Sequence, residues 1–282
     1  MKILTLNTHS IQEPNYEEKL EAFVKAIARI RPDVIALQEV NQTADAAEIS
    51  PEALQGQAVV CSEIQVRRDN HAARVAQGVQ RAGLDCSWVW LPMKLGYGKY
   101  DEGVAILVLN DRITEAEWFT VSKADDYGNW RTRRVLGVQT EKRNDWFYTV
   151  HMGWWNDAEE PFIDQWNTLS RMLLPKRTAG RIWLMGDFNA PDSVPDESYH
   201  LIASSGWTDT YRVAERKDSG ITVPGVIDGW RDKLPADAEG MRLDYIWCSR
   251  RAEISSSRVV FNGTNEPIVS DHFGVLIETK ES

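Results

Sequence analysis

The chain has 282 residues and a formal net charge of −10, with 43% apolar and 26% charged residues. That length buries a substantial core, the composition reads as globular, and no apolar run approaches the roughly 18 residues of a membrane-spanning helix. The acidic balance counts against a nucleic-acid or anionic-membrane partner, because phosphate contacts supply most of the non-specific affinity for such surfaces.

In chain order, Met1 to Asn7 turns polar too early for a signal peptide and reads as a first strand, Ile3–Leu6, ending at Asn7. Tyr16 to Arg31 carries Leu20, Phe23, Val24, Ile27 and Ile30 at helical spacing and stops before Pro32. Asp33–Leu37 is a second strand that ends at Gln38-Glu39. A helical crossover of this length requires the two strands to be parallel, so Asn7 and Glu39 fall at equivalent carboxyl ends. Asn70–Ala82 reads as a helix, and Trp88–Leu91, Gly103–Leu109 and Val135–Thr140 as strands.

The β-α-β pattern then returns. Trp146–Val150 is a strand ending at His151, Phe162–Leu174 a helix stopped by Pro175 with Trp166, Leu169, Met172 and Leu173 buried, and Arg181–Met185 a strand ending at Gly186-Asp187. Leu243–Trp247 and Phe273–Glu278 are further strands, and Asp192–Glu197 and Pro224–Gly240 long surface loops. Asp271 and His272 precede the last strand, so they reach the same edge only if that strand runs antiparallel. Mixed sheets follow. With no linker or break in composition, residues 1–282 read as a single domain.

Polar residues at strand carboxyl ends are where open α/β structures place ligands. In Gly186-Asp187-Phe188-Asn189 an extended chain would put Asp187 and Asn189 on one face and Phe188 in the core. An Asp can orient or deprotonate a water, and an Asn can donate to a charged oxygen. Cys61, Cys86 and Cys248 show no metal-ligand spacing and are too sparse for a disulfide framework, which points to reduced thiols in a cytoplasmic protein.

Six separated pieces, Leu6-Asn7, Leu37-Gln38-Glu39, Val150-His151, Gly186-Asp187-Phe188-Asn189, Leu243-Asp244-Tyr245 and Ser270-Asp271-His272, occur in an order that resembles the endonuclease/exonuclease/phosphatase superfamily. The resemblance spans nearly the whole chain. It implies the α/β, DNase I-like four-layer sandwich of two packed mixed β-sheets flanked by helices, and metal-dependent hydrolysis of a phosphate ester. It places Asn7, Glu39 and Asp271 at the metal, with Glu39 the principal ligand. It gives Asp187 the attacking water, Asn189 the water and phosphoryl oxygens, His151 and His272 phosphoryl oxygens, and makes Asp244 the partner of His272. Such an oxygen-rich set suits Mg²⁺, with Mn²⁺ a possible substitute, and not zinc. His9, His71 and His200 gain no such support and read as structural.

Within the superfamily the chain is similar to bacterial maltose 6'-phosphate phosphatase-like proteins at Leu4–Ser10, Lys94–Gly103, His151–Asn156 and Ile227–Arg231. That similarity implies a sugar-phosphate monoesterase working by direct water attack, with a disaccharide phosphate such as maltose 6'-phosphate as substrate. Trp154, Trp155 and Trp230 are expected to stack on the sugar, and Lys99, Tyr100, Arg131 and Arg133 to meet the phosphate. A nuclease or phosphodiesterase of the same fold is the main alternative, and the −10 charge opposes it. A phospholipid hydrolase lacks an exposed aliphatic docking run, and a non-catalytic binding module would not retain every site residue. No protein partner is implied.

Overall fold

The computed structural model describes residues 1–57, 64–225 and 240–280. In chain order the strands are β1 (Lys2–Asn7), β2 (Val34–Thr43), β3 (Cys86–Gly96), β4 (Tyr100–Leu109), β5 (Ile113–Thr120), β6 (Arg134–Thr140), β7 (Arg143–His151) and β8 (Ile182–Asp187). They continue with β9 (Thr208–Asp209), β10 (Arg216–Lys217), β11 (Val223–Pro224), β12 (Gly240–Met241), β13 (Asp244–Cys248), β14 (Ile254–Val260) and β15 (Gly274–Thr279). The helices are α1 (Tyr16–Ile30), α2 (His71–Arg81), α3 (Phe162–Ala179), α4 (Ser198–Ser204) and α5 (Thr210–Val213).

Among the described residues the strands form a seven-stranded sheet, β10-β14-β15-β1-β2-β4-β3, a six-stranded sheet, β5-β6-β7-β8-β13-β9, and a two-stranded ribbon, β11-β12. Both β-α-β units run as their crossovers require: β1 is parallel to β2, and β7 to β8. The closing strand β15 is antiparallel to β1, which returns the segment before it to the Asn7 end.

Strand alternation builds the layers. Ile3, Val34, Ala36 and Ile106 turn toward Phe147, Trp183, Met185 and Ile246 in a core between the sheets. Their neighbours Leu4, Leu6, Ile35 and Leu37 face Phe23, Ile27, Val75 and Val79 of α1 and α2. On the other side Tyr148, Val150, Leu184 and Phe188 pack on Phe162, Trp166 and Leu169 of α3 and Ile202 of α4. The order helices, sheet, sheet, helices is the four-layer sandwich. No described helix is long and apolar enough to cross a membrane.

Two expectations for α3 fail. Pro175 lies inside the helix, which runs on to Ala179, and Met172 is 45% exposed while Leu173 is buried. Proline removes one N–H and disturbs one turn, and packing of the first three turns on the second sheet holds the helix through it. Two strands that the sequence reading passed over, β5 and β14, lie beside single neighbours or short partners near sheet edges. Their apolar alternation is weak, as Ile254–Val260 shows with its run of three serines.

Candidate active site

The site forms where carboxyl ends of strands from both sheets meet. Registry alone brings several residues together: Asn7 is opposite Gln38, His151 opposite Asp187, and Asp244 opposite Asp187 on its other side. Glu39 needs a further device. The pairing of β2 with β4 shifts between Leu37 and Val40, and Glu39 adopts φ 50° in that bulge. A bulge re-aims a side chain that regular alternation would commit to one face.

The side chains then converge. Asn7 Nδ2 donates to Glu39 Oε1 at 2.9 Å and to Asp187 Oδ2 at 3.2 Å. His151 Nε2 is 3.7 Å from Asp187 Oδ2 and 4.0 Å from Glu39 Oε1. His272 Nδ1 is 2.9 Å from Asp244 Oδ2, and its Nε2 is 3.9 Å from Asp187 Oδ2. Ser270 Oγ donates to the Asn7 carbonyl at 2.8 Å, which ties the segment carrying Asp271 and His272 to the end of β1.

Asn189 reaches the site by a route other than strand alternation. β8 ends at Asp187. Asp187 Oδ1 accepts from the Asn189 N–H at 2.8 Å, Asn189 sits at φ 47°, and its Nδ2 donates to the Met152 carbonyl at 3.0 Å. This is a side-chain-closed turn of the kind Asp favours. Gly186 supports it from behind: a Cβ there would lie 2.0 Å from the Val150 carbonyl oxygen, at a φ of 145°.

Charge is distributed unevenly over the cluster. Burial, then repulsion from Asp244, raises Asp187 to about 7. Burial works against the charged form of His272, yet Asp244, with Asp187 and Asp271 adding, raises it to about 10. Burial pushes His151 well below its ordinary value, and the charges of Arg133, Lys94 and His272 act the same way. One imidazole is therefore held as a cation and the other as a neutral base.

These groups open into a cleft of about 780 Å³ lined by His9, Glu39, Lys94, Gly96, Tyr97, Glu102, Trp130, Arg133, His151, Trp154, Asp187, Asn189, Asp271 and His272. The oxygen donors fit a hard divalent cation. Glu39 is raised by burial and by Glu102, and among the described residues no Lys or Arg pairs with it. A carboxylate desolvated beside another carboxylate is the kind of group that a bound cation stabilises. Asn7 donates to Glu39, and Asp271 lines the same cleft.

Of the residues expected at the substrate, Arg133 and Trp154 line the cleft. Lys99, Tyr100, Arg131 and Trp155 are not among the residues that line it. Lys99 lies over the Tyr100 ring at the outer end of the β3–β4 hairpin. Arg131 is engaged by Asp157 at 3.0 Å and Glu159 at 3.2 Å. Trp155 packs on Phe162. Trp230, with the rest of Ile227–Arg231, lies outside the described residues.

The sequence reading missed Lys94 and Glu102, which sit within strands where nothing in the pattern separates them from solvent-facing charges. It also set His9 aside, although its place two residues after Asn7 was a signal. His9 Nδ1 is 2.7 Å from Glu13 Oε1, and Glu13 Oε1 accepts the Asp271 N–H at 3.2 Å.

The sequence pattern of the Endonuclease/Exonuclease/phosphatase family matches residues 4–272. The sequence matches none of the curated proteins compared with it. Among solved structures, an endonuclease/exonuclease/phosphatase family protein from Leptotrichia buccalis C-1013-b is 32% identical, with a TM-score of 0.84 over 99% of both chains. The mannosyl-6-phosphatase Bt3783 of Bacteroides thetaiotaomicron VPI-5482 is 16% identical, with a TM-score of 0.64 over 99% of both chains. Truncated Caenorhabditis elegans TDP2 is 15% identical, with a TM-score of 0.59 over 99% of this chain and 96% of that one. With its sandwich, its strand-end cluster and a family match from the first strand to His272, the chain belongs to the endonuclease/exonuclease/phosphatase family.

Proposed function

We propose that the chain is a divalent-metal-dependent phosphomonoesterase that hydrolyses a phosphorylated sugar, a disaccharide phosphate such as maltose 6'-phosphate, by direct attack of water. The observation that carries this reading is the convergence of Asn7, Glu39, His151, Asp187, Asn189, Asp244 and His272 at the base of a tryptophan-lined cleft.

Glu39, with Asn7 and Asp271, would hold the cation, for which Mg²⁺ is the choice that fits oxygen ligands. When bound, the cation stabilises charge on the phosphoryl oxygens. Asp187 takes the proton of the attacking water, and its hydrogen bonds from Asn7 Nδ2 and the Asn189 N–H fix the direction of its oxygens. The new bond joins the water oxygen to phosphorus, the bond from phosphorus to the sugar oxygen breaks, and that oxygen takes a proton from solvent. His272, kept charged by Asp244, offers Nε2–H to a phosphoryl oxygen. Asn189 and His151 border the same space.

Trp130 and Trp154, with ring centres 5.8 Å apart, give the cleft an aromatic lip for the C–H face of a sugar. A mannosyl-6-phosphatase on this fold acts on the same class of compound. The buried, free thiol of Cys86 fits a cytoplasmic setting. The test is a phosphate-release screen over sugar phosphates, nucleotides and abasic DNA, with and without Mg²⁺. Turnover of a sugar monophosphate with metal is expected. DNA nicking without sugar-phosphate turnover overturns the substrate class, and full activity in excess chelator overturns the metal.

A further inference from the structure

Two cations in the cleft lining have no part in the chemistry above. Lys94 and Arg133 line the cleft with Glu39, His151 and Asp187, and they are only 7% and 4% exposed. Buried Lys and Arg side chains are ordinarily paired with carboxylates. Lys94 Nζ lies 3.0 Å from Glu102 Oε1, although that oxygen is not in hydrogen-bonding alignment with it. Arg133 makes no ion pair among the described residues. Its Nη1 donates to the carbonyls of Trp130 at 2.9 Å and Thr132 at 3.1 Å, and its buried Nε has no partner. Of the two buried cations, Lys94 alone has a carboxylate within ion-pair distance among the described residues.

This wall is held in place by its surroundings. Lys94 follows a register shift in the β3–β4 pairing after Pro92 and pairs across the strands with Glu102. Gly96 leaves room for that carboxylate, since a Cβ there would lie 2.8 Å from Glu102 Oε2. The backbone at Arg133 is fixed on both sides: its N–H donates to Ser122 Oγ at 2.8 Å, and its carbonyl accepts from Val121 N–H at 2.9 Å. The guanidinium is therefore preorganised without an anion to hold it, in a part of the cleft whose charge reaches Asp187 and Glu39.

We propose that Lys94 and Arg133 read the charge of the substrate: they bind non-bridging oxygens of a phosphomonoester dianion and so favour monoesters over diesters. A phosphomonoester presents close to two negative charges and three acceptor oxygens near neutral pH. A diester presents one charge, with one of those oxygens replaced by a second ester link. The extra oxygen and charge are what an unpaired guanidinium beside a half-neutralised ammonium accommodates. The proposal rests on the hydrolase reading of this site and assigns its preference among phosphate esters to two side chains.

The test uses the Mg²⁺-loaded protein and four variants: Arg133→Met, Arg133→Lys, Lys94→Met, and Lys94→Met with Glu102→Gln. The double variant leaves no buried carboxylate without its partner, so it guards against loss of folding in Lys94→Met. Calorimetric titration with inorganic phosphate is expected to show at least about tenfold weaker binding for Arg133→Met and for the double variant, with Arg133→Lys in between. The ratio of kcat/KM for p-nitrophenyl phosphate to that for bis(p-nitrophenyl) phosphate is expected to fall at least about tenfold in the same variants. Phosphate affinity within about twofold of the parent in folded variants, or equal losses on both esters, overturns the proposal. If the parent turns over neither ester and none of the compounds of the phosphate-release screen, the hydrolase reading fails, and the phosphate titration still decides whether these residues bind the anion.

Discussion

Asp187 is the residue on which most of the site depends. It is flanked in registry by His151 and Asp244, receives hydrogen bonds from Asn7 and Asn189, and is raised to about 7 by burial and Asp244. An acid whose folded pKa lies above its ordinary 3.8 binds its proton more tightly when folded. Its charge therefore costs stability, increasingly as pH rises from about 4 to about 7 and fully above that. Asp187→Asn is expected to lower kcat about 10²–10⁴-fold. The same substitution should raise the melting temperature of the chelator-treated protein at pH 8 by about 2 °C or more. Phosphate-release kinetics and a thermal melt check both outcomes, and near-parental turnover would remove Asp187 from the mechanism. Asp187, His151 and Asn7 were legible in the sequence because each ends a strong apolar run. Lys94 and Glu102 were not, because a charged residue inside a strand looks the same whether it faces water or a cleft.

At the level of elements, close approach of two parallel strands carries the catalytic geometry. Val150 and Gly186 are partners in the β7–β8 ladder, and no side chain fits at position 186. Gly186→Ala is expected to destabilise the protein by about 2 kcal/mol or more, through the clash and the positive φ. It should also lower kcat, since His151 and Asp187 are the next pair along; denaturant unfolding and kinetics on one preparation test this. The α1–α2 contact makes a separate prediction. His71, the first residue of α2, is buried with Nδ1 2.9 Å from Tyr16 Oη, and burial, with Arg74 adding, lowers it to about 3. The unfolded chain then takes up the proton first as pH falls, so stability present above about pH 6.5 is lost progressively toward pH 3. At pH 5 the loss is on the order of 2 kcal/mol, and His71→Gln should flatten that limb of a pH-stability curve measured by urea unfolding. An unchanged acid limb would show that His71 is not its source. The sequence signalled both helices through their apolar spacing. It misplaced the end of α3 because a proline's local cost is small beside the packing of a whole helix face on a sheet.

Across the whole molecule, the site exists only because two sheets pack face to face and bring the ends of β1 and β2 against those of β7, β8 and β13. A cation held by Glu39, Asn7 and Asp271, which lie far apart in sequence, would bind the folded state alone and must stabilise it by mass action. Mg²⁺ at about 100 times its dissociation constant is expected to add about 2.7 kcal/mol. For a chain of this size that is a rise of about 5–10 °C in melting temperature, reversed by chelator. A scan with Mg²⁺ and with chelator tests this, and no shift would argue against a metal at Glu39. By itself the sequence determined the two β-α-β units, the strand ends that carry Asn7, His151 and Asp187, and the family they resemble; β2, expected to end at Glu39, runs on to Thr43. Those follow from apolar periodicity and local chain order, which are properties of neighbouring residues. The tertiary structure alone decided how Glu39 turns in its bulge, how Asn189 returns through a side-chain turn, and which basic and aromatic residues face the cleft. Those depend on the packing of segments more than a hundred residues apart, where burial and charge are set by neighbours that no local pattern records.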